Sequence, residues 1–244
     1  MDFVTSGELV NAIVREAHLR KITVHSHAIQ LADQKAVVRA GTDVLVHMVQ
    51  REPIDEELQS LIREKKPYWA TVISLGDRVE VCNSDPFFED ALPSSLVAQI
   101  RATNTAVALQ PHCAPPSPNA PNREKLLAQN FPLMIAAGAK LVLATDTGIH
   151  PGHTFGSGEH VELARWVQLG LPPAQAIVAA TRTPAELMGL GDLGTLSTGK
   201  RASFIVLNAN PLDDIRNTRA IADVYLDGVK FDRDAVRRTW RNQR

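Results

Sequence analysis

The chain has 244 residues, 44% of them hydrophobic and 22% charged, and its 26 basic and 27 acidic side chains give a formal charge of −1. This composition excludes a disordered or fibrous protein and indicates a globular chain with a substantial core. No apolar run approaches the about 18 to 20 residues that span a bilayer, and the basic cluster at residues 237–244 is expected to be a solvated helix end. We therefore predict neither a membrane nor a nucleic acid as partner.

The N-terminal sequence and the cysteines indicate the compartment. Residues 1–18 show no basic segment followed by an apolar one, so no signal peptide is predicted. Cys82 and Cys113 form neither a zinc-type pair nor a disulfide framework. Both observations predict a cytoplasmic protein.

Alternating strand and helix signals fill the first 75 residues. An amphipathic helix over Leu9–Leu19 precedes an apolar run, a second helix over 30–39 stops at Ala40-Gly41, and a third is expected over 54–65. Short runs rich in β-branched residues separate these helices. Together with a later run, they predict four buried strands, at 22–27, 43–48, 68–75 and 141–146.

The pattern becomes less regular after residue 75. Residues 76–122 hold most of the prolines, and we expect this insertion to be a lid or active-site rim rather than a linker. Helices follow over 124–137 and, after residue 158, in three further segments, the last over 184–190. Beyond Gly191, the segments ASFIVLNANPL and IADVYLDGVKF are β-rich, and a charged helix over 232–241 ends the chain.

Potential metal ligands stand where three of the predicted strands end. His25 and His27 end the first strand, His47 the second and Asp146 the fourth. The carboxyl ends of parallel strands meet at one edge, which is where a (β/α) barrel carries its chemistry. A closed barrel needs eight strands, so four strands leave two unpaired edges and an exposed inner face.

Several segments resemble the C-terminal half of the metal-dependent amidohydrolase superfamily, most closely its imidazolonepropionase-like and prolidase-like branch. They are TVHSHA, AGTDVLVHMV, LVLATDTG, EHVELARWVQLGLPPAQAIVAATRTPAELMGL and GDLGTLSTGKRASFIVLNANPLDDIRNTRAIADVYLDG. The resemblance runs through essentially the whole chain. It implies an α/β fold: strands five to eight of a TIM-type barrel over residues 1–190, then part of a small β-sandwich and a terminal helix over 191–244.

The same resemblance implies a set of site residues. His25 matches the strand-five histidine, His47 the strand-six histidine and Asp146 the strand-eight aspartate, and these three would be metal ligands. The family's His-x-His pair of strand one and lysine of strand four have no counterpart here, which implies a truncated enzyme. One departure, Ser203 in place of a common aspartate, lies in the sandwich.

The chemistry that the resemblance implies is hydrolysis of a C–N bond in a small-molecule amide, dipeptide or cyclic amide. A divalent metal, zinc above all and as one or two ions, would activate a hydroxide. Asp146 would be the catalytic residue, taking a proton and passing it to the leaving nitrogen.

Two interpretations remain open for three other histidines. His27 either contacts substrate or packs in the core, and His150 and His153 either contact substrate or lie in a solvated glycine-rich loop. We expect His160 and Glu159 to stabilise a helix start, and Asp213-Asp214 to form a capping turn rather than a metal pair.

Two further hypotheses compete with an active hydrolase. One is a non-catalytic fragment, or a half-barrel that needs its missing N-terminal half or a complementing chain. The exposed sheet edges of such a half-barrel also favour association of the chain with a second copy of itself. A phosphate-binding barrel is weaker, because the glycine-rich stretch 152–158 has no lysine or arginine and follows an aspartate.

Overall fold

The computed structural model describes residues 7–76, Phe87, 92–102, 120–147 and 156–242. Its first sheet is parallel, with strands in the order β1-β2-β3-β4. The strands are β1 (His25–His27), β2 (Val44–Val46), β3 (Tyr68–Ala70) and β4 (Lys140–Leu141). The predicted α/β class, strand order and strand direction are therefore confirmed.

Helices precede and separate these strands, and all but α4 lie where the sequence pattern predicts a helix; α4 falls within residues 76–122, where none was predicted. They are α1 (Gly7–Leu19), α2 (Leu31–Ala40), α3 (Glu56–Lys65), α4 (Ser94–Ala102) and α5 (Ala120–Ala136). Helix α2 ends at Gly41, whose left-handed φ of 91° lets its N–H turn back to the last helical carbonyls. Helix α3 begins at Asp55, whose side chain accepts a hydrogen bond from the N–H of Leu58 at 3.0 Å.

The core of this sheet lies on the face that carries Leu45, Trp69 and Leu141. Leu45 pairs with Trp69, and Trp69 with Leu141, in one register row, and all three side chains are buried. The indole of Trp69 lies 5.7 Å from the ring of Phe131 in α5. Each such side chain contributes about 1.5–3 kcal/mol on burial, so this row and the helices fix the sheet.

All four strands are shorter than predicted, and the difference is largest in β3 and β4. Strand β3 ends at Ala70, and the chain continues through Val72, with a φ of 52°, into a 3-10 helix at Ile73–Gly76. Strand β4 ends at Leu141, although the apolar run continues to Ala144. The predictions of strands through Leu75 and Asp146 are thus wrong, because apolar runs report burial and not strand pairing.

The chain divides into two compact units. Within the described residues, the first holds 7–72, 120–144 and 169–171, and the second holds 73–76, Phe87, 92–102, 145–147, 156–168 and 172–242. The second contains helices α6 (Gly158–Gln168), α7 (Pro173–Ala180), α8 (Arg182–Leu187) and α9 (Arg233–Asn242), together with α4. None of the described helices is long and apolar enough to cross a membrane.

The second unit also contains an antiparallel sheet in the order β5-β6-β7. Its strands are β5 (Phe204–Leu207), β6 (Ile221–Leu226) and β7 (Val229–Lys230). Asp227 and Gly228 join β6 to β7 with φ of 51° and 82°, the positive pair that a tight hairpin needs. Arg201 and Ser203 both donate to the Asp227 carboxylate, so Ser203 helps to hold this turn.

Candidate active site

His47 is a buried residue in an unusual backbone conformation. It follows β2 with a φ of 73° and only 7% of its surface exposed. Its N–H donates to the Ala70 carbonyl at 2.8 Å, and its carbonyl accepts from Trp69 Nε1 at 2.9 Å and Gln34 Nε2 at 3.3 Å. These hydrogen bonds hold a conformation that is uncommon for residues other than glycine.

The two histidines of β1 differ in their surroundings. His25 and His27 are both exposed and lie on the same face of the strand, since side chains two residues apart point the same way. The ring of His27 meets the ring of His47 edge to face, with centroids 4.5 Å apart and planes at 75°. The structure therefore brings His27 and His47 together, and His25 makes no ring contact in the described part of the chain.

Asp146 lies in a tight turn after β4. It is half-buried with a φ of 55°, a left-handed conformation that aspartate adopts more readily than most residues. The hydroxyls of the flanking Thr145 and Thr147 are 2.5 Å apart. A Cβ on Gly158, at the start of α6, would come within 3.2 Å of Thr145 Cβ, so glycine allows the helix to begin against this turn.

Glu162 anchors the segment that follows β3. Its side chain in α6 is fully buried, and its two oxygens accept from the N–H groups of Ile73 at 3.0 Å and Ser74 at 2.7 Å. Trp166 Nε1 donates to the same carboxylate at 3.1 Å. Sequence reasoning missed this residue, because a glutamate between Val161 and Leu163 in a segment that also carries Arg165 has the pattern of an ordinary helix surface.

His160 is a half-buried polar side chain of α6. Its Nδ1 lies 2.9 Å from the hydroxyl of Thr218, which donates its own hydrogen to the Ile215 carbonyl at 2.8 Å. The hydroxyl must therefore accept from Nδ1–H, which fixes the neutral tautomer. Burial, and then the positive charge of Arg219, lowers the pKa of His160 to about 4. The expectation that His160 stabilises the helix start needs correction, because the ring bonds to the segment before β6.

The remaining predicted residues are two loop histidines and one capping aspartate. His150 and His153 lie outside the described residues. Asp214 caps the 3-10 helix Ile215–Arg219 by accepting from the N–H of Arg216 at 2.9 Å, which confirms the predicted turn. Among the described residues, no group of three or more His, Cys, Asp or Glu side chains is arranged to hold a metal ion.

Comparison with known proteins decides the family. The model of the amidohydrolase family matches residues 1–231. The chain belongs to the amidohydrolase family. The resemblance read from the sequence motifs is thereby confirmed.

Individual amidohydrolases show how far the similarity extends. The chain is 32% identical over 169 residues to an imidazolonepropionase from Deinococcus radiodurans, covering 65% of this chain and 39% of that protein. It is 27% identical over 121 residues to a 5-methylthioadenosine/S-adenosylhomocysteine deaminase from Bacillus thuringiensis, covering 41% of this chain and 28% of that protein. A Xaa-Pro dipeptidase structure with methionine in its active site superposes with a TM-score of 0.66 at 25% identity, over 93% of this chain and 49% of that one.

The chain thus spans half or less of the length of these relatives. Their names describe reactions at C–N bonds in different small molecules.

Proposed function

We propose that this chain takes part in the metal-dependent hydrolysis of a C–N bond in a small-molecule amide, dipeptide or cyclic amide. The observation that carries the proposal is the match to the amidohydrolase family along residues 1–231, together with relatives that act on such bonds. Because the chain spans about half of the matched dipeptidase, residues outside this sequence complete the site in the proposal. The family resemblance gives those residues as a His-x-His pair and a lysine.

The donor groups of this chain fit a divalent ion of the zinc type. Neutral imidazoles and carboxylates are the ligands that such ions take. The imidazoles of His27 and His47 lie in contact at the ends of β1 and β2, and His25 is two residues before His27 on the same face of β1. The resemblance assigns His25 and His47 to one ion and Asp146 to its neighbour. When bound, a zinc-type ion lowers the pKa of a water to about 7 and polarises the scissile carbonyl.

Proton transfer and substrate contact belong to residues of this chain in the proposal. Asp146 accepts the proton of the attacking water and delivers it to the leaving nitrogen, as a general acid–base group does. The backbone of Asp146 is left-handed, and the hydroxyls of the flanking Thr145 and Thr147 are 2.5 Å apart. In the proposal, this turn holds the base of the Asp146 side chain in place. His150 and His153, in the loop that follows, contact the substrate in this proposal.

The fold proposal follows the same family pattern. The parallel sheet β1 to β4 corresponds to strands five to eight of a (β/α) barrel within residues 1–190. The antiparallel sheet β5 to β7 and helix α9 correspond to part of an accessory β-sandwich and the terminal helix within 191–244. The similarity to half of a solved dipeptidase supports both assignments.

Metal removal and replacement of Asp146 test the function. The purified chain, mixed with the N-terminal half of a matched imidazolonepropionase, is treated with a chelator and resupplied with zinc, cobalt or manganese. N-acyl amino acids, proline dipeptides and imidazolone are the substrates, and adenosine derivatives test deamination by ammonia release. We expect metal-dependent turnover that falls by at least about 10²-fold in Asp146→Asn, the scale of a lost general base.

Absence of turnover with every substrate and metal would support a non-catalytic fragment instead. Turnover that survives both the chelator and Asp146→Asn would refute the proposal.

A further inference from the structure

A cavity of the second unit is lined by residues that the proposed reaction does not use. It has a volume of about 520 Å³ and lies between α8 and the loop at residues 189–200. Sites for small molecules commonly measure about 300–1,000 Å³. The cavity therefore has room for a small ligand, and none of its lining residues is a candidate metal ligand, catalytic residue or substrate contact.

A glycine allows the loop to close against α8. Gly194 has a φ of 80°, and a Cβ there would come within 2.7 Å of the Ala185 Cβ and 2.8 Å of the Thr181 carbonyl oxygen. A residue other than glycine would have to move the backbone to fit here. Within the loop, the N–H of Lys200 donates to the Ser197 carbonyl at 3.1 Å. These contacts hold the loop in one position, so little of the cavity wall has to be ordered when a ligand binds.

Two basic side chains, Arg182 and Lys200, line this cavity. Lys200 is half-buried, and its Nζ donates to the Gly191 carbonyl at 2.5 Å, which uses one of the three donors of an ammonium group. Arg182 donates from Nε to Glu186 Oε1 at 2.7 Å. Among the residues that the structure describes, the two terminal nitrogens of Arg182 make no hydrogen bond. Both cations therefore retain donors for an anion.

The charges and the lining indicate which anion fits. Two cations, Arg182 and Lys200, and one carboxylate, Glu186, leave one net positive charge in the lining, which suits a monoanion. Glu186 acts against a more highly charged anion such as phosphate, because like charges in close contact disfavour binding. A planar guanidinium binds a carboxylate through two parallel hydrogen bonds. The lining also includes three aliphatic side chains: Ala185, Leu190 and Leu193.

We propose that the cavity binds a small aliphatic carboxylate. The carboxylate group accepts hydrogen bonds from the terminal nitrogens of Arg182 and from Lys200 Nζ, and the alkyl chain packs against the aliphatic side chains. Binding here needs neither a metal nor the residues that complete the candidate active site, so this site goes beyond the proposed hydrolysis. The competing explanation is structural: Lys200 only caps the carbonyl of Gly191, and Arg182 only pairs with Glu186 one turn along α8.

Calorimetric titration of the full chain with 4-methylpentanoate, at constant ionic strength, tests the site. The parent should bind one equivalent, and Arg182→Gln and Lys200→Gln should each weaken binding at least about tenfold, the scale of one lost charge-assisted hydrogen bond. The matched control is Arg216→Gln, because Arg216 is also exposed and pairs with a carboxylate, Asp214, outside this cavity. This control should stay within about twofold of the parent.

Two other probes test the ligand class in the parent chain. The neutral 4-methylpentanamide should bind at least about tenfold more weakly than the carboxylate, because it has no charge to meet the two cations. Inorganic phosphate should also bind more weakly. Thermal melting identifies any variant that fails to fold. The Arg182 side chain is 62% exposed, so Arg182→Gln should melt with the parent and decides the test even if Lys200→Gln does not fold.

Three results would overturn the inference. The first is no saturable binding of 4-methylpentanoate by the folded parent at concentrations on the order of tens of millimolar. The second is binding that Arg182→Gln leaves within about twofold of the parent, as in the control. The third is binding of the amide or of phosphate as tight as that of the carboxylate. None of these results affects the hydrolysis assay with the complementing half, so the two proposals fail separately.

Discussion

Replacing Glu162 with glutamine tests whether a buried carboxylate holds the segment after β3. The side chain is fully buried, and its oxygens accept from two backbone N–H groups, at Ile73 and Ser74, and from the indole of Trp166. Glutamine has the same shape, but one of its two terminal groups donates hydrogen bonds and cannot accept them.

The expected loss of stability follows from the number of hydrogen-bond donors that lose their acceptor when Glu162 becomes glutamine. If its oxygen takes the place of Oε1, Ile73 and Trp166 stay bonded and the N–H of Ser74 faces an NH₂ group; the reverse orientation strands two donors. A buried donor without a partner costs about 1–3 kcal/mol. We expect Glu162→Gln to lower the free energy of unfolding by about 2–3 kcal/mol, and Glu162→Ala by more, because all three donors lose their acceptor.

Urea unfolding, followed by circular dichroism and tryptophan fluorescence, measures these changes. Glu186→Gln is the matched control, because that glutamate also lies in a helix but is exposed and pairs with Arg182, a pair worth about 0.3–0.5 kcal/mol. A loss in Glu162→Gln no larger than that of the control would show that the carboxylate does not anchor the segment.

Three further predictions concern other buried or crowded positions. The pKa of His160 is about 4 in the folded chain, against 6.5 as its ordinary value. The unfolded chain therefore binds a proton more readily than the folded chain between these values, and the free energy of unfolding should fall by on the order of 3 kcal/mol as pH falls from 6.5 towards 4. The urea midpoint should change less over this pH range in His160→Gln. Asn130→Ala removes buried bonds to the backbone at Val49, Glu52 and Ile54 and should cost about 2–4 kcal/mol, whereas the exposed Gln129→Ala should have almost no effect in the same titration. Gly158→Ala brings a methyl within 3.2 Å of Thr145. This overpacking should cost about 1 kcal/mol and lower the melting temperature by several degrees. An unchanged melting temperature would show that the turn around Asp146 moves aside without a loss of stability.

The sequence predicts the framework of the site well, because its signals are local. Apolar runs that stop at His25, His47 and Asp146 indicate parallel strands with polar residues at one edge, and the strand order is confirmed. The capping role of Asp214 is also local, since the residue and the N–H that it accepts from are two residues apart.

The features that sequence reasoning missed depend on distant partners. The ring contact of His27 with His47 follows from a left-handed residue that Trp69 and Gln34 hold in place. Glu162 bonds to Ile73, 89 residues away, and His160 to Thr218, 58 residues away. No periodicity in a single sequence records such pairings. The early end of β3 was likewise hidden, because Val72 continues the apolar run while its φ of 52° leaves the strand conformation.

The most direct test of the account is the rate of C–N bond hydrolysis by the 244-residue chain with and without a complementing N-terminal half. The chain is assayed with zinc, cobalt and manganese against N-acyl, dipeptide and imidazolone substrates, first alone and then with increasing amounts of the half that supplies a His-x-His pair and a lysine. The account predicts little or no turnover alone and a saturable gain on mixing that Asp146→Asn removes. Robust turnover by the chain alone, lost in Asp146→Asn, would contradict the proposal that residues outside this sequence complete the site.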